Sequence, residues 1–130
     1  MPGVHGRFVW NELNTSNVEK AKAFYSEALG WEFVGQPMDM SVGTYWLIKC
    51  GDAGIGGMFE LTGPHFQHVP DHWLPYIGVD DIDGRVAKAT ANGATILRAP
   101  FDVPGVGRIA IIRDPSGAVA GWMTPVTPPF

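Results

Sequence analysis

The chain repeats its own grammar after a shift of about 64 positions, and that repetition narrows the folds open to it. In the first half, Ser16-Asn17-Val18-Glu19 reads as a capping box: the Ser16 hydroxyl accepts from the third helical amide and Glu19 reaches back to the Ser16 amide. Val18, Ala21, Tyr25, Ala28 and Leu29 then recur at helical spacing, and Gly30 stops the run as a left-handed residue would. Positions 31–34 follow as a strand. In the second half, Asp80-Asp81-Ile82-Asp83 takes the place of the cap, and Ile82, Val86 and Ala89 mark the helix face. Gly93 ends that helix and 94–97 reads as the strand. A strand precedes each helix, at 7–13 and 73–79, and two more follow in each half, at 44–50 and 55–61, then at 108–113 and 119–123. The order is β-α-β-β-β, twice.

A module with one helix over one sheet face leaves its other face open until a second module, or a second chain, closes it. The expected class is therefore α+β: two tandem βαβββ modules forming a cupped, partly open mixed sheet, with one helix per module on the outer face. The 130 residues suit a single domain of this kind, with module one at about 5–62, a connector at about 63–72, module two at about 73–124 and a tail at 125–130. Charge and hydropathy exclude other classes. The net charge is −4 with no Lys/Arg run, so the basic face that nucleic-acid phosphates need is missing. Apolar runs fall far short of the ~20 residues of a membrane span. No charged segment followed by an apolar stretch opens the chain, and the single cysteine, Cys50, cannot form an internal disulfide. A cytoplasmic protein is expected.

These pieces resemble the vicinal oxygen chelate superfamily, which holds the glyoxalases, the bleomycin-resistance proteins and the extradiol dioxygenases. The resemblance covers about 8–123. It is carried by Ala23-Phe24-Tyr25 with Leu29-Gly30-Trp31, by Val79-Asp80-Asp81-Ile82, and by Asp114-Pro115-Ser116-Gly117. Pro70-Asp71-His72-Trp73 and Pro104-Gly105-Val106-Gly107-Arg108 are similar to a branch of small hydroxylase-like or glyoxalase-like proteins. The resemblance implies a divalent metal held by His, Gln or Glu from the first and last strands of each module. The aligned positions here are Trp10, Glu60, Leu74 and Gly121, and the shift of 64 pairs Trp10 with Leu74. Only Glu60 carries a donor, whereas a catalytic metal site takes about three protein ligands. Neither a metal nor another cofactor is expected.

Three of the four histidines, His65, His68 and His72, fall close together. On a continuous helix they would share a face. Pro64 and Pro70 bracket them and Pro75 follows, so the stretch reads as the connector loop and the histidines as exposed or rim-lying polar residues. His5 lies in the N-terminal segment and is given no role.

Alternation along the strands fills the expected cup with Phe8, Trp10 and Glu12, with Leu74 and Tyr76, with Met58 beside Glu60, and with Met123 beside Gly121. Apolar and aromatic walls with few polar handles suit a small-molecule pocket. The same side chains would also fill a closed core. Glu60, enclosed by apolar neighbours, would be pushed toward a general base's working range, with Tyr76 donating to a developing oxyanion; otherwise it is a relic carboxylate. Arg108 either reaches the cup mouth to bind an anion or begins its strand in solvent. The expected function is that of a glyoxalase/bleomycin-resistance-like protein that forms a homodimer and binds a small, largely apolar or aromatic molecule in the cup. The alternatives are a lyase, isomerase or dioxygenase-like enzyme, using Glu60 as base or a metal with non-standard ligands, and a structural domain whose cup is filled.

Overall fold

Short polar side chains and glycine set the ends of both helices in the computed structural model, which describes residues 5–37, 44–61, 68–103 and 106–125. Helix α1 (Val18–Leu29) is capped by Asn17, whose side-chain oxygen accepts from the Lys20 amide at 2.9 Å. Gly30 closes it with φ 74°, its N–H on the Ser26 carbonyl. The cap is thus one residue later than the Ser16 expected. The Ser16 amide donates instead to Asp71 Oδ1 at 3.0 Å, and the Thr15 hydroxyl donates to Asp71 Oδ2 at 2.6 Å. These two bonds hold the Asp71 carboxyl below the usual carboxylate range. Helix α2 (Ile82–Ala91) is capped by Asp81, which accepts from the Gly84 amide, and Gly93 follows it with φ 97°.

The strands are β1 (Phe8–Thr15), β2 (Glu32–Pro37), β3 (Thr44–Cys50), β4 (Ala53–Glu60), β5 (His72–Gly78), β6 (Thr95–Val103), β7 (Gly107–Arg113) and β8 (Val119–Pro125). With the two helices they make an α+β fold of two tandem βαβββ modules. Strand β6 runs six residues beyond the expected end, past Pro100 and across two register shifts. Proline is tolerated there because β6 is last in its strand order. Between β7 and β8, Asp114 Oδ1 accepts from the amides of Ser116, Gly117 and Ala118 at 2.9–3.0 Å. Gly117, at φ 107°, completes this turn.

The chain divides into two compact units, Trp10–Leu74 and Met1–Val9 with Pro75–Phe130. In the first, the strand order is β2-β3-β4-β1, with β1 and β4 parallel and the other pairs antiparallel. Helix α1 covers one face: Leu13, Val18, Ile48 and Met58 are buried together, with Ala21, Tyr25, Trp31 and Trp46 packed against them. In the second unit the order is β5-β8-β7-β6, with β5 and β8 parallel. Val79, Ile82, Ala110 and Ile112 form its helix-side core with Val86 and Trp122. Here the N-terminal segment lines the end of β5, with the Gly6 amide on Gly78 O at 2.7 Å and the Gly78 amide on Arg7 O at 2.8 Å. Among the described residues no helix is long and apolar enough to cross a membrane.

Met58 is fully buried against α1 and therefore does not share a face with Trp10, as the sequence reading had it. Met58→Ala should lower the unfolding free energy by about 2–5 kcal/mol, since it opens a cavity in that core. Glu60→Gln should stay within about 0.5 kcal/mol of the wild type, as exposed substitutions do. Urea denaturation of the two variants checks both values.

Candidate functional site

Strand pairing settles which side chains of the first unit face away from α1. Leu13 and Met58 are partners in the β1/β4 ladder and both point to the helix. Their neighbours Glu12 and Gly57, also partners, point the other way. Trp10 and Asn14 share that helix-free face with Glu12, two positions to either side. Tyr45 reaches across from β3 to lie over Gly57, where a Cβ would collide with the phenol. Trp10 Nε1–H donates to Tyr45 Oη at 3.0 Å, and the Tyr45 hydroxyl is hydrogen-bonded to Glu12. Burial first, then the Glu12 charge, push the Tyr45 phenol far above its ordinary range, against the opposing donation from Trp10. A polar chain thus runs from Trp10 through a neutral Tyr45 to Glu12. Asn14 is 6% exposed, and its Nδ2 is buried with no hydrogen-bond partner among the described residues.

The second unit repeats the arrangement. Tyr76 and Gly121 are partners in the β5/β8 ladder, and the Tyr76 ring lies where a Gly121 Cβ would go. The shift of 64 that carries Glu12 to Tyr76 carries Gly57 to Gly121. Each module therefore has a glycine beneath a tyrosine on its helix-free face. Met123, two residues beyond Gly121, shares that face, whereas Trp122 packs on the α2 side.

The remaining expected residues fall elsewhere. The structural counterpart of Gly121 is Gly57, not Glu60. Glu60 is exposed at the end of β4, on the same side as Met58 by alternation, so the apolar enclosure expected around it is absent. Trp73 packs edge-on against Tyr25 and Trp31, with centroids 5.8 and 6.1 Å apart, so the buried Leu74 points to the helix-free side. Phe8 is exposed. Arg108 is held by both oxygens of Asp83 at 2.9 and 3.1 Å, and by Asp102 at 3.3 Å. Two carboxylates already occupy it, and no anionic ligand needs to be invoked. His72 Nδ1 lies 2.8 Å from the Pro70 carbonyl, His68 is exposed, and His65 lies outside the described residues. His5 Nδ1 accepts from the Asp80 amide at 3.1 Å. Among the described residues no three His, Cys, Asp or Glu side chains gather as metal ligands would.

A groove of about 360 Å³ lies on the helix side of the first unit, lined by Asn11, Trp31, Ile48, Ile55, Gly56 and Trp73. Besides the indoles of Trp31 and Trp73, Asn11 is its polar lining side chain, and the hydrogen-bonded trio lies on the opposite face. Tyr45, Gly57 and Asn14 were missed from the sequence. The signal available was the Gly56-Gly57 pair inside a strand, which marks a place where another group comes close.

The model of the Glyoxalase/Bleomycin resistance protein/Dioxygenase superfamily matches residues 7–120, and the chain belongs to this family. The chain is 40% identical over 121 residues to CFP32 of Mycobacterium tuberculosis, whose name gives glyoxylase as a provisional assignment; the match covers 92% of this chain and 44% of that protein. It is 34% identical over 118 residues to the anthracycline biosynthesis protein DnrV of Streptomyces peucetius, covering 89% of this chain and 40% of DnrV. The chain thus spans less than half the length of these relatives. Its fold matches Streptomyces coelicolor methylmalonyl-CoA epimerase, solved with 2-nitronate-propionyl-CoA, with a TM-score of 0.67 at 16% identity over 95% of this chain and 99% of the epimerase.

The raised Tyr45 pKa has a consequence for stability. The folded protein keeps a proton that the unfolded chain gives up near pH 10, so this contribution is complete below about pH 10 and is lost as pH rises toward the folded value. Urea denaturation between about pH 9 and 11.5 should show stability falling with pH, and Tyr45→Phe should flatten that fall.

Proposed function

We propose that the chain binds a small, largely apolar or aromatic molecule on its helix-free face, and does so without the divalent metal of its enzymatic relatives. The observation that carries this reading is the trio of Trp10, Tyr45 and Glu12. Two aromatic side chains are fixed by hydrogen bonds beside one carboxylate, in the mixture of apolar wall and few polar handles that small-molecule sites use. The place of DnrV in anthracycline biosynthesis, by its name, favours a planar aromatic ligand.

The donor chemistry supports the metal-free part. Trp10 offers only an N–H, which Tyr45 accepts; Leu74, Gly57 and Gly121 have no donor atom; Glu60 faces outward. Such a set does not fit a divalent cation. Purified protein should contain well under one metal ion per chain by mass spectrometry, and excess Ni²⁺ or Zn²⁺ should move Tm by less than about 1 °C. A stoichiometric ion that survives chelator would overturn this. For the ligand, calorimetric titration with a panel of planar aromatic compounds should find at least one binder, and Trp10→Ala should weaken it about tenfold or more. A panel without any binder would sink the reading.

A second reading has one observation behind it. If the chain is an enzyme, the carboxylate that acts on substrate is Glu12, which Tyr45 holds in place, and not Glu60. Turnover of any substrate found should then survive Glu60→Gln and be lost in Glu12→Gln.

A further inference from the structure

The groove on the helix side of the first unit has walls, a floor and a rim that keep it open. Its walls are the indoles of Trp31 and Trp73, which meet edge-on with centroids 6.1 Å apart, and Trp31 is braced by Tyr25 stacked on it at 5.1 Å. Its floor includes Gly56, where a Cβ would press on the Asn11 carbonyl at 2.6 Å, so no side chain fills the space from that position. Its rim is Ile55. Strict alternation from Met58 would put Ile55 on the helix-free face with Gly57. The β3/β4 register shifts at this point: Ile48 pairs with Gly56 and Lys49 with Gly54, which leaves Ile55 without a ladder partner. A bulge of this kind re-aims a side chain, and Ile55 borders the groove. Two large apolar residues of one concave surface thus stay in water, Trp73 at 41% and Ile55 at 38% exposure, and covering them would be favourable.

The lining defines what could cover them. No lining residue is charged, so a charged occupant would lose its water and gain no partner. The volume of about 360 Å³ lies at the small end of ligand pockets. We propose that this groove is a binding site in its own right for an uncharged aromatic molecule of two or three fused rings. The rings lie against Trp31 and Trp73, Ile55 covers their edge, and Asn11 supplies the polar contact. The site is separate from the helix-free face and does not depend on a ligand at Trp10, Tyr45 and Glu12.

Two probes with the same rings test the site and its selectivity: 2-naphthol, uncharged at neutral pH, and naphthalene-2-sulfonate, which carries a fixed charge. Binding to the intact, isotope-labelled protein is followed by the indole N–H signals in NMR spectra, assigned by replacing each tryptophan in turn with phenylalanine. 2-Naphthol should shift the Trp31 and Trp73 signals saturably, and should bind about tenfold more tightly than the sulfonate. Ile55→Asp should weaken 2-naphthol about tenfold, and the milder Ile55→Ala about threefold, both with Tm close to the wild type because Ile55 is partly exposed. A shift at Trp10 without one at Trp31 or Trp73 would overturn the groove and support the helix-free face instead. Shifts at all three would support both sites. No shift at any tryptophan would overturn the groove and leave the helix-free face to its own ligand panel. Equal affinity for the two probes, or wild-type affinity in both Ile55 variants, would overturn the proposal as well.

Discussion

The parallel pairing of β1 with β4 decides what the first unit can present. Leu13 opposite Met58 commits both strands to α1, and every other residue on either strand is then assigned a face. A slip of β1 by one residue would turn Trp10 and Glu12 toward the helix and bring Leu13 out. The register is secured by burial: Met58 and Ile48 are almost wholly enclosed, and no polar neighbour on these strands could take their place against α1 without losing its water. The site is thus a by-product of a core that would be needed in any case.

On the face left over, the hydrogen bonds point one way. Trp10 can only donate, so Tyr45 must accept from it and donate onward, and the remaining acceptor in reach is Glu12. That direction keeps the phenol neutral. Each group fixes the orientation of the next, so the side chains of this face are preorganised. Gly57 makes this possible, because any side chain there would displace Tyr45.

The fold was largely legible because its signals are local. Caps, glycine stops and alternating strands are set by neighbours in sequence, and the repeat doubled each of them. The Ser16 cap failed by one residue for a reason no local rule contains: Asp71, far along the chain, takes the Ser16 amide. The site was half legible. Trp10, Glu12 and Tyr76 follow from alternation within a strand. Met58 and Glu60 were misplaced because their face depends on pairing with β1. The shift of 64 would have corrected this, since it leads from Gly121 back to Gly57. Tyr45 was out of reach in a different way: its position over Gly57 depends on a side chain crossing from a neighbouring strand, which no period in the sequence encodes. Arg108 was equally ambiguous until its two carboxylates were seen.

The duplicated glycines bear on how such a scaffold changes its chemistry. A coordinating side chain on β4 or β8 would have to occupy the space that the Tyr45 phenol and the Tyr76 ring now fill. The two arrangements are mutually exclusive at each position. Restoring a ligand at Gly57 or Gly121 alone would expel the tyrosine without supplying the other donors a cation needs, so a single substitution leads to neither a metal site nor the present surface. Removing the tyrosine first would leave a void beside a glycine, with its own loss of packing. Ring against glycine therefore holds each module in its present state, and the variation open to this face lies in the residues around it, above all Trp10 and Glu12, which bond to Tyr45 without competing for that space.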